Sequence, residues 1–265
     1  MATNPPLPLS VHFAVQRRVL GALLIRELLT RYGRHNIGFL WLFVEPMLFT
    51  LGVTALWTAT KSAHGSDLPI VAFALTGYSS VLLWRNMPGR CVGALEGNLS
   101  LLYHRNVRAL DIYAARIAIE FAGATVSFLV LGTVFILIGW LSPPEDVLTV
   151  AGGWLLTAWF GAGLAITLGA LSHEYELVDK IWHPTSYLLF PLSGAAFLVS
   201  SLPPAARDVV LWIPMVHGVE IIREGFFGSH VKAMFDVGYA VTCALVLSVT
   251  ALIAVRWAAK RVAPQ

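Results

Sequence analysis

The chain has 265 residues, 57% of them hydrophobic and 12% charged, with a net charge of +3 and a mean hydropathy of +0.72. An ordinary soluble domain carries roughly 25% charged residues. The composition therefore excludes that class and predicts a polytopic α-helical membrane protein, in which each span satisfies its own backbone hydrogen bonds. So small a net charge gives no case for nucleic acid, and two cysteines, Cys91 and Cys243, make no disulfide framework.

Met1 to Ser10 is proline-rich, and the apolar stretch after it is studded with Arg17, Arg18 and Arg26. That is not a signal peptide, so the first span is expected to act as an uncleaved anchor. Residues 11–33 read as an amphipathic helix lying on the membrane: Val11, Val15, Ala22, Ile25, Leu29 and Tyr32 share one face, and Gln16, Glu27, Arg31 and Arg34 the other. A first span is predicted over 37–58, with Glu45-Pro46 near its middle. An ionisable residue inside a span is expensive and faces protein or water. Glu45 thus reads as a proton relay, a hydrogen bond to a neighbouring helix, or a group lining a wet pore.

A second span is predicted over 69–87. The polar stretch that follows, Arg85 to Arg116, carries five arginines, Arg85, Arg90, Arg105, Arg108 and Arg116. Such an excess holds a membrane loop in the cytoplasm. Within it Val92 to Tyr103 predicts a short helix with Val92, Leu95, Leu99 and Leu102 on one face. Contact with a soluble partner and contact with lipid headgroups fit that helix equally. Asn98-Leu99-Ser100 matches a glycosylation sequon, which on the cytoplasmic side reads as chance.

A third span (110–141) and a fourth (147–171) flank the tight turn Ser142-Pro143-Pro144-Glu145-Asp146. After a polar patch at 173–180 comes a fifth span over 181–199, bent or preceded by a turn because it holds Pro184 and Pro191. Residues 201–230 are punctuated by Pro203, Pro204 and Pro214 and predict two short helices that dip in and return on one side. Glu220 and Arg223 there lie at i, i+3 and pair on one face. The sixth span is predicted over 233–255. With six spans, 14 of the 18 lysines and arginines fall on one side, which places both termini in the cytoplasm.

No GxxxxGK[ST], HExxH, GxSxG or CxxC occurs, so no catalytic residue, no metal ligand set and no ATP site of that kind is expected in this chain. Trp41, Trp84, Trp140, Trp182 and Trp257 fall where an aromatic belt would lie. Aromatic faces also stack on sugar rings.

Four blocks carry a resemblance: RYGRHNIGFLWLFVEPM (31–47), GALEGNLSLLYHRNVRALDIYAAR (93–116), HEYELVDKIWHPTSYLLFPLSG (173–194) and IPMVHGVEIIREGFF (213–227). In these the chain resembles the transmembrane subunit of group 2 capsular polysaccharide exporters, within the ABC-2 class that also moves O-antigen and teichoic acid. It departs in having Ile213 where an asparagine often precedes the proline. The resemblance implies the fold of the ABC-2 (type V) exporters: one transmembrane domain over 1–265, with an N-terminal interface helix, six spans, a cytoplasmic coupling helix over 90–104 and paired periplasmic re-entrant helices over 201–230. It implies a homodimer in the inner membrane served by two separate ATP-binding subunits, which hold ATP and Mg²⁺. A periplasmic adaptor of the polysaccharide co-polymerase type, an outer-membrane exporter and a lipid-linked acidic polysaccharide complete the implied partners.

Carried onto this sequence, the resemblance assigns ATPase coupling to Arg90, Leu95, Glu96, Leu99, Leu102, Tyr103, His104 and Arg105. It assigns the substrate path to Arg31, Arg34, His35, Trp41, Phe43, Glu45, Trp159 and Tyr187, and a periplasmic gate to Pro214, His217, Glu220 and Arg223. A membrane enzyme acting on lipid-linked sugars is the rival class, with Glu174, Glu176 and Asp179 as its close acidic group. An ABC-2 permease for another lipid-linked glycan is the nearer alternative.

Overall fold

The computed structural model describes residues 9–33, 36–60, 68–102 and 106–262, with side chains described for all of these except 9, 36–39, 261 and 262. Ten α-helices and no strand occur among them: α1 (Leu9–Tyr32), α2 (Asn36–Thr60), α3 (Ile70–Cys91), α4 (Leu99–Leu102), α5 (Ala109–Leu137), α6 (Val147–Ser172), α7 (Glu176–Leu192), α8 (Pro204–Val210), α9 (Pro214–Phe227) and α10 (Val237–Val262). Helices α2, α3, α5, α6, α7 and α10 run alternately between two ends of a bundle. One end is marked by Gly93, in the turn after α3, and the other by Pro143, in the turn between α5 and α6.

Local chemistry sets these boundaries. Gly33 (φ +78) follows α1, and its N–H closes on Leu29 O at 3.0 Å. Asp111 accepts the Arg108 N–H at 2.9 Å and so caps α5, while Asp146 accepts the Leu148 and Thr149 N–H groups at 2.9 and 3.2 Å and starts α6. The threonines of α2 satisfy their hydroxyls within the helix: Thr50, Thr54 and Thr58 each donate to the carbonyl four residues back, the first two buried and Thr58 exposed.

Among the described residues four stretches are long and apolar enough to cross a membrane: Leu40–Thr60, Ala109–Leu137, Val147–Ser172 and Val237–Lys260. The two other spans expected from sequence are helices, but more polar or shorter. α3 holds Thr76, Ser79, Ser80, Arg85, Asn86 and Arg90, and α7 has 17 residues and opens on Glu176 and Asp179. For α3 the reason is enclosure. α3 is packed by α2, α5, α6, α7 and α9, and Ala72 to Trp84 is buried without a break. A helix that meets protein on every side has no need of a uniformly apolar surface.

Small residues set how closely α3 and α6 approach. A Cβ on Gly161 would lie 2.9 Å from Trp84 Cα, and one on Gly169 would lie 2.8 Å from Cys91 O. α7 stops at Leu192, with Ala195 against Gly77 of α3. Gly77 is seven residues inside α3, about 10 Å short of the Pro143 end. Residues 193–236 fill the space that remains, and α9 packs along α6 there.

The segment after α3 differs from the single amphipathic helix expected over Val92–Tyr103. α3 itself continues to Cys91, and Gly93 at φ +68 then reverses the chain. Among the described residues a 3₁₀ turn (Glu96–Asn98) and the four residues of α4 follow. The apolar spacing was misleading because Leu95 packs inward from the turn rather than from a helix face: it is buried, whereas Leu99 is 41% exposed. Asn98 of the apparent sequon is 3% exposed.

Candidate functional site

At the Gly93 end, charged side chains from four helices meet. Glu120, nine residues into the core-facing side of α5 from Asp111, is buried and pairs with Arg31 of α1. Arg90, at the end of α3, lies 3.3 Å from Glu120 and 4.0 Å from Glu45 of α2. A second pair, Glu27 of α1 with Arg116 of α5 at 3.2 Å, runs beside it, and Arg116 also donates to Arg90 O. Gln16 hydrogen-bonds Asp111 farther along. α1 is thus fastened to α5 by a seam in which the Glu27–Arg31 order on one helix meets Arg116–Glu120 on the other. Burial beside this seam pushes the Tyr32 phenol up from its ordinary value.

The turn after α3 is tied into the same seam. Arg26 of α1 hydrogen-bonds Asn98, whose own amide donates to Ala94 O at 2.8 Å. The Gly93 N–H donates to Ser172 Oγ at the end of α6, 3.1 Å away. Its inner side is anchored by Ala94 and Leu95, while Glu96, Gly97, Leu99 and Ser100 face outward. The turn is thus bonded to α1 and α6 and continuous with α3.

Along α3 an aromatic column climbs toward the Pro143 end. Tyr78 stands 5.9 Å from Phe49, 5.3 Å from Trp57 and 5.4 Å from Phe190, and Trp57 stands 5.9 Å from Phe73. Arg223 lies over the Phe73 ring at 3.9 Å, and Arg85 over Tyr187 at 4.4 Å. Tyr187 is 67% exposed, so the outer side of the column is not covered by this chain.

The Pro143 end is closed by α9. Glu220 and Arg223, fully buried, approach to 3.8 Å, as their i, i+3 spacing predicted. Both are engaged chiefly with backbone. Arg223 donates to the carbonyls of Gly194, Phe197 and Ala195, and Glu220 accepts from Val199 N and Met234 N. His217 accepts the Asp236 N–H at Nδ1 and donates from Nε2 to Leu211 O, both at 2.9 Å. These three side chains staple the segment after α7 and the approach to α10 onto α9.

The sequence-derived sets are therefore regrouped. Arg31 and Glu45, assigned to the substrate path, and Arg90, assigned to coupling, come together around Glu120. Arg31 is already neutralised there. Trp41 is 54% exposed on α2 and Phe43 lies beside it in sequence; Trp159 is elsewhere, donating its indole N–H to Ser248 of α10 at 2.9 Å. Tyr187 lies under the Arg85 guanidinium. Pro214, His217, Glu220 and Arg223 share α9, with Pro214 in its first turn. Leu95 faces inward, Glu96 and Leu99 outward, and Leu102 is half-buried. Arg34, His35, Tyr103, His104 and Arg105 lie outside the described residues. Sequence reasoning passed over Glu120, although an acidic residue eleven positions into an apolar run is the same signal that marked Glu45.

The family model for ABC-2 type transporters matches residues 18–227, which takes in the seam, the turn after α3 and all of α9. The chain belongs to the ABC-2 type transporter family. Among ABC-2 proteins it is 48% identical over 252 residues to the capsule polysaccharide export inner-membrane protein CtrC of Neisseria meningitidis, covering 95% of each chain. To BexB of Haemophilus influenzae, of the same descriptive name, it is 42% identical, again over 95% of each. The polysialic acid transport protein KpsM of Escherichia coli is 25% identical over 238 residues, 88% of this chain and 91% of that one.

Proposed function

We propose that this chain is the membrane subunit of an ATP-driven exporter of lipid-linked capsular polysaccharide. Two copies form the pathway across the inner membrane, and two separate ATPase subunits bind ATP and Mg²⁺ and power it. The observation that carries this reading is end-to-end similarity to capsule polysaccharide export proteins, with 95% of both chains aligned. In this reading the chain makes six spans with both termini cytoplasmic, and the alternating helices and the positive-inside pattern support it. The Gly93 end is then cytoplasmic and the Pro143 end periplasmic, toward an adaptor and an outer-membrane exporter.

In this reading Glu96, Leu99 and Ser100 seat in the ATPase. ATP-driven closure of the two ATPases moves the turn after α3, and the seam carries that motion to α1, α2 and α5. Energy reaches the spans only through contacts that differ between the two states. The Arg90–Glu45 contact, both partners partly exposed and at the 4.0 Å limit, is the loosest link of the seam. Exposed apolar faces on α2 (Leu48, Phe49) and α7 (Ile181, Leu188) are where a second copy or lipid would lie.

The test is co-purification in detergent with the ATP-binding subunit, comparing the native chain with one in which 93–104 is scrambled. A two-plus-two complex for the native chain, lost in the scramble, is the expected result. A chain that purifies alone in both cases overturns the reading.

A further inference from the structure

Six arginines of the bundle end on an oxygen of the protein: Arg31 and Arg90 on Glu120, Arg116 on Glu27, Arg26 on Asn98, and Arg207 and Arg223 on carbonyls. Arg85 does not. Among the described residues its guanidinium has no carboxylate and no hydrogen-bond acceptor; its Nε, like those of Arg116, Arg207 and Arg223, is shut off from solvent without a hydrogen-bond partner. It lies over the face of Tyr187, 4.4 Å away. Fifteen residues separate it from Ile70 and six from Cys91, which at 1.5 Å per residue puts it about 22 Å from one end of α3 and 9 Å from the other.

The energetics do not balance within the chain. A cation–π contact contributes about 0.5–2 kcal/mol, whereas removing a guanidinium from water costs several kcal/mol unless an anion and hydrogen bonds offset it. Arg85 is half-buried, on the same side of α3 as Tyr78 two turns away, and so belongs to the aromatic column whose outer side is open. Tyr187 holds the guanidinium by its ring face and leaves the fork of its two terminal nitrogens without an acceptor among the described residues. That fork suits a carboxylate or phosphate.

We propose that Arg85, held on Tyr187, is an oxyanion-binding position at the inner end of the aromatic column, taking a carboxylate or phosphate group of the exported glycolipid. It takes the role that Arg31 cannot fill, because Glu120 already neutralises Arg31. The proposal rests on the exporter reading, through the assignment of the α2–α3–α7 side to the substrate path. Two chemical sources fit: sugar carboxylates of an acidic polymer, or the phosphate of its lipid anchor.

The experiment uses the full chain in nanodiscs and two probes, a short oligosialic acid (carboxylates, no phosphate) and phosphatidylglycerol (phosphate, no sugar). The expected result is that Arg85→Gln weakens one probe by about tenfold, and Arg85→Lys by less, since it keeps charge and loses the fork. Loss confined to oligosialic acid assigns the site to the polymer, and loss confined to the lipid assigns it to the anchor. Tyr187→Leu, at an exposed position, serves if Arg85→Gln does not fold, and is expected to weaken the same probe about threefold. Native chain that binds neither probe overturns the proposal. So does Arg85→Gln, or Tyr187→Leu in its place, binding both probes as the native chain does, whatever its thermal stability. The assay needs no ATPase, so its failure is separable from a failed co-purification, which would strike the exporter reading itself.

Discussion

Glu120 and Glu220 are both buried carboxylates paired with arginine, and they hold their ends of the bundle in opposite ways. Around Glu120 the partners are other charged side chains, from α1 and α3, and the outermost of them, Arg90 and Glu45, are 41% and 55% exposed. Around Glu220 and Arg223 the partners are backbone groups of two neighbouring segments, and both side chains are 0% exposed. Side chains that pair with side chains are free to exchange partners when helices shift by an ångström or two. Side chains bonded to carbonyls and amides of two other segments are not. The Gly93 end is therefore held through side-chain pairs, and the Pro143 end through backbone groups.

The largest effect tests the Pro143 end. Arg223→Met leaves Glu220 buried beside three unsatisfied carbonyls and is expected to cost about 3–5 kcal/mol, read as loss of monodisperse protein or a large drop in unfolding temperature in detergent. Arg223→Lys is not expected to rescue it, since an ammonium does not span three carbonyls. A stable, assembled Arg223→Met would break the comparison.

Next is the Gly93 end. Glu120→Gln is expected to cost about 1–3 kcal/mol, and a double-mutant cycle with Arg31→Gln to show coupling of about 1 kcal/mol or more. The matching cycle of Glu45→Gln with Arg90→Gln is expected to show under about 0.5 kcal/mol of static coupling, with transport reduced more than stability. Equal effects on both readouts would mean that this contact is only structural.

A smaller effect sharpens the Pro143 end further. Asp146 N is bonded to Gly225 O at 2.8 Å, so the turn that starts α6 hangs on α9. The hydroxyl and N–H of Thr149, with the Leu148 N–H, hold the exposed Asp146 carboxyl below its ordinary value of 3.8. Its contribution is therefore present above pH 3.8 and is lost as pH falls through the lower, folded value. Asp146→Asn keeps a cap and removes that acid dependence, which an acid titration of unfolding temperature would show. The smallest effect is at Lys180–Glu176, 3.2 Å apart and 70% and 87% exposed. Glu176→Gln there is expected to change stability by less than about 0.5 kcal/mol.

Much of this contrast was legible before the fold. The i, i+3 spacing of Glu220 and Arg223 announced their pair, and Glu45-Pro46 announced a charged side chain within an apolar run. The short helix after α3 was misjudged, because apolar spacing of 3 and 4 is shared by a helix face and by a turn whose residues happen to point inward. Glu120, Arg85 and the meeting of Glu27–Arg31 with Arg116–Glu120 went unread, since nothing in a linear pattern says which two helices will touch.

Composition and periodicity by themselves determined the helical membrane class, the places of the long helices and the polar breaks between them, because lipid imposes length and apolarity on each helix separately. Only the tertiary structure decided which charges meet a carboxylate or carbonyl. Arg31, Arg85, Arg90 and Arg223 are the same residue type. What separates them is the distance from each guanidinium to an oxygen that another part of the fold brings near, a property of packing and not of the chain's order.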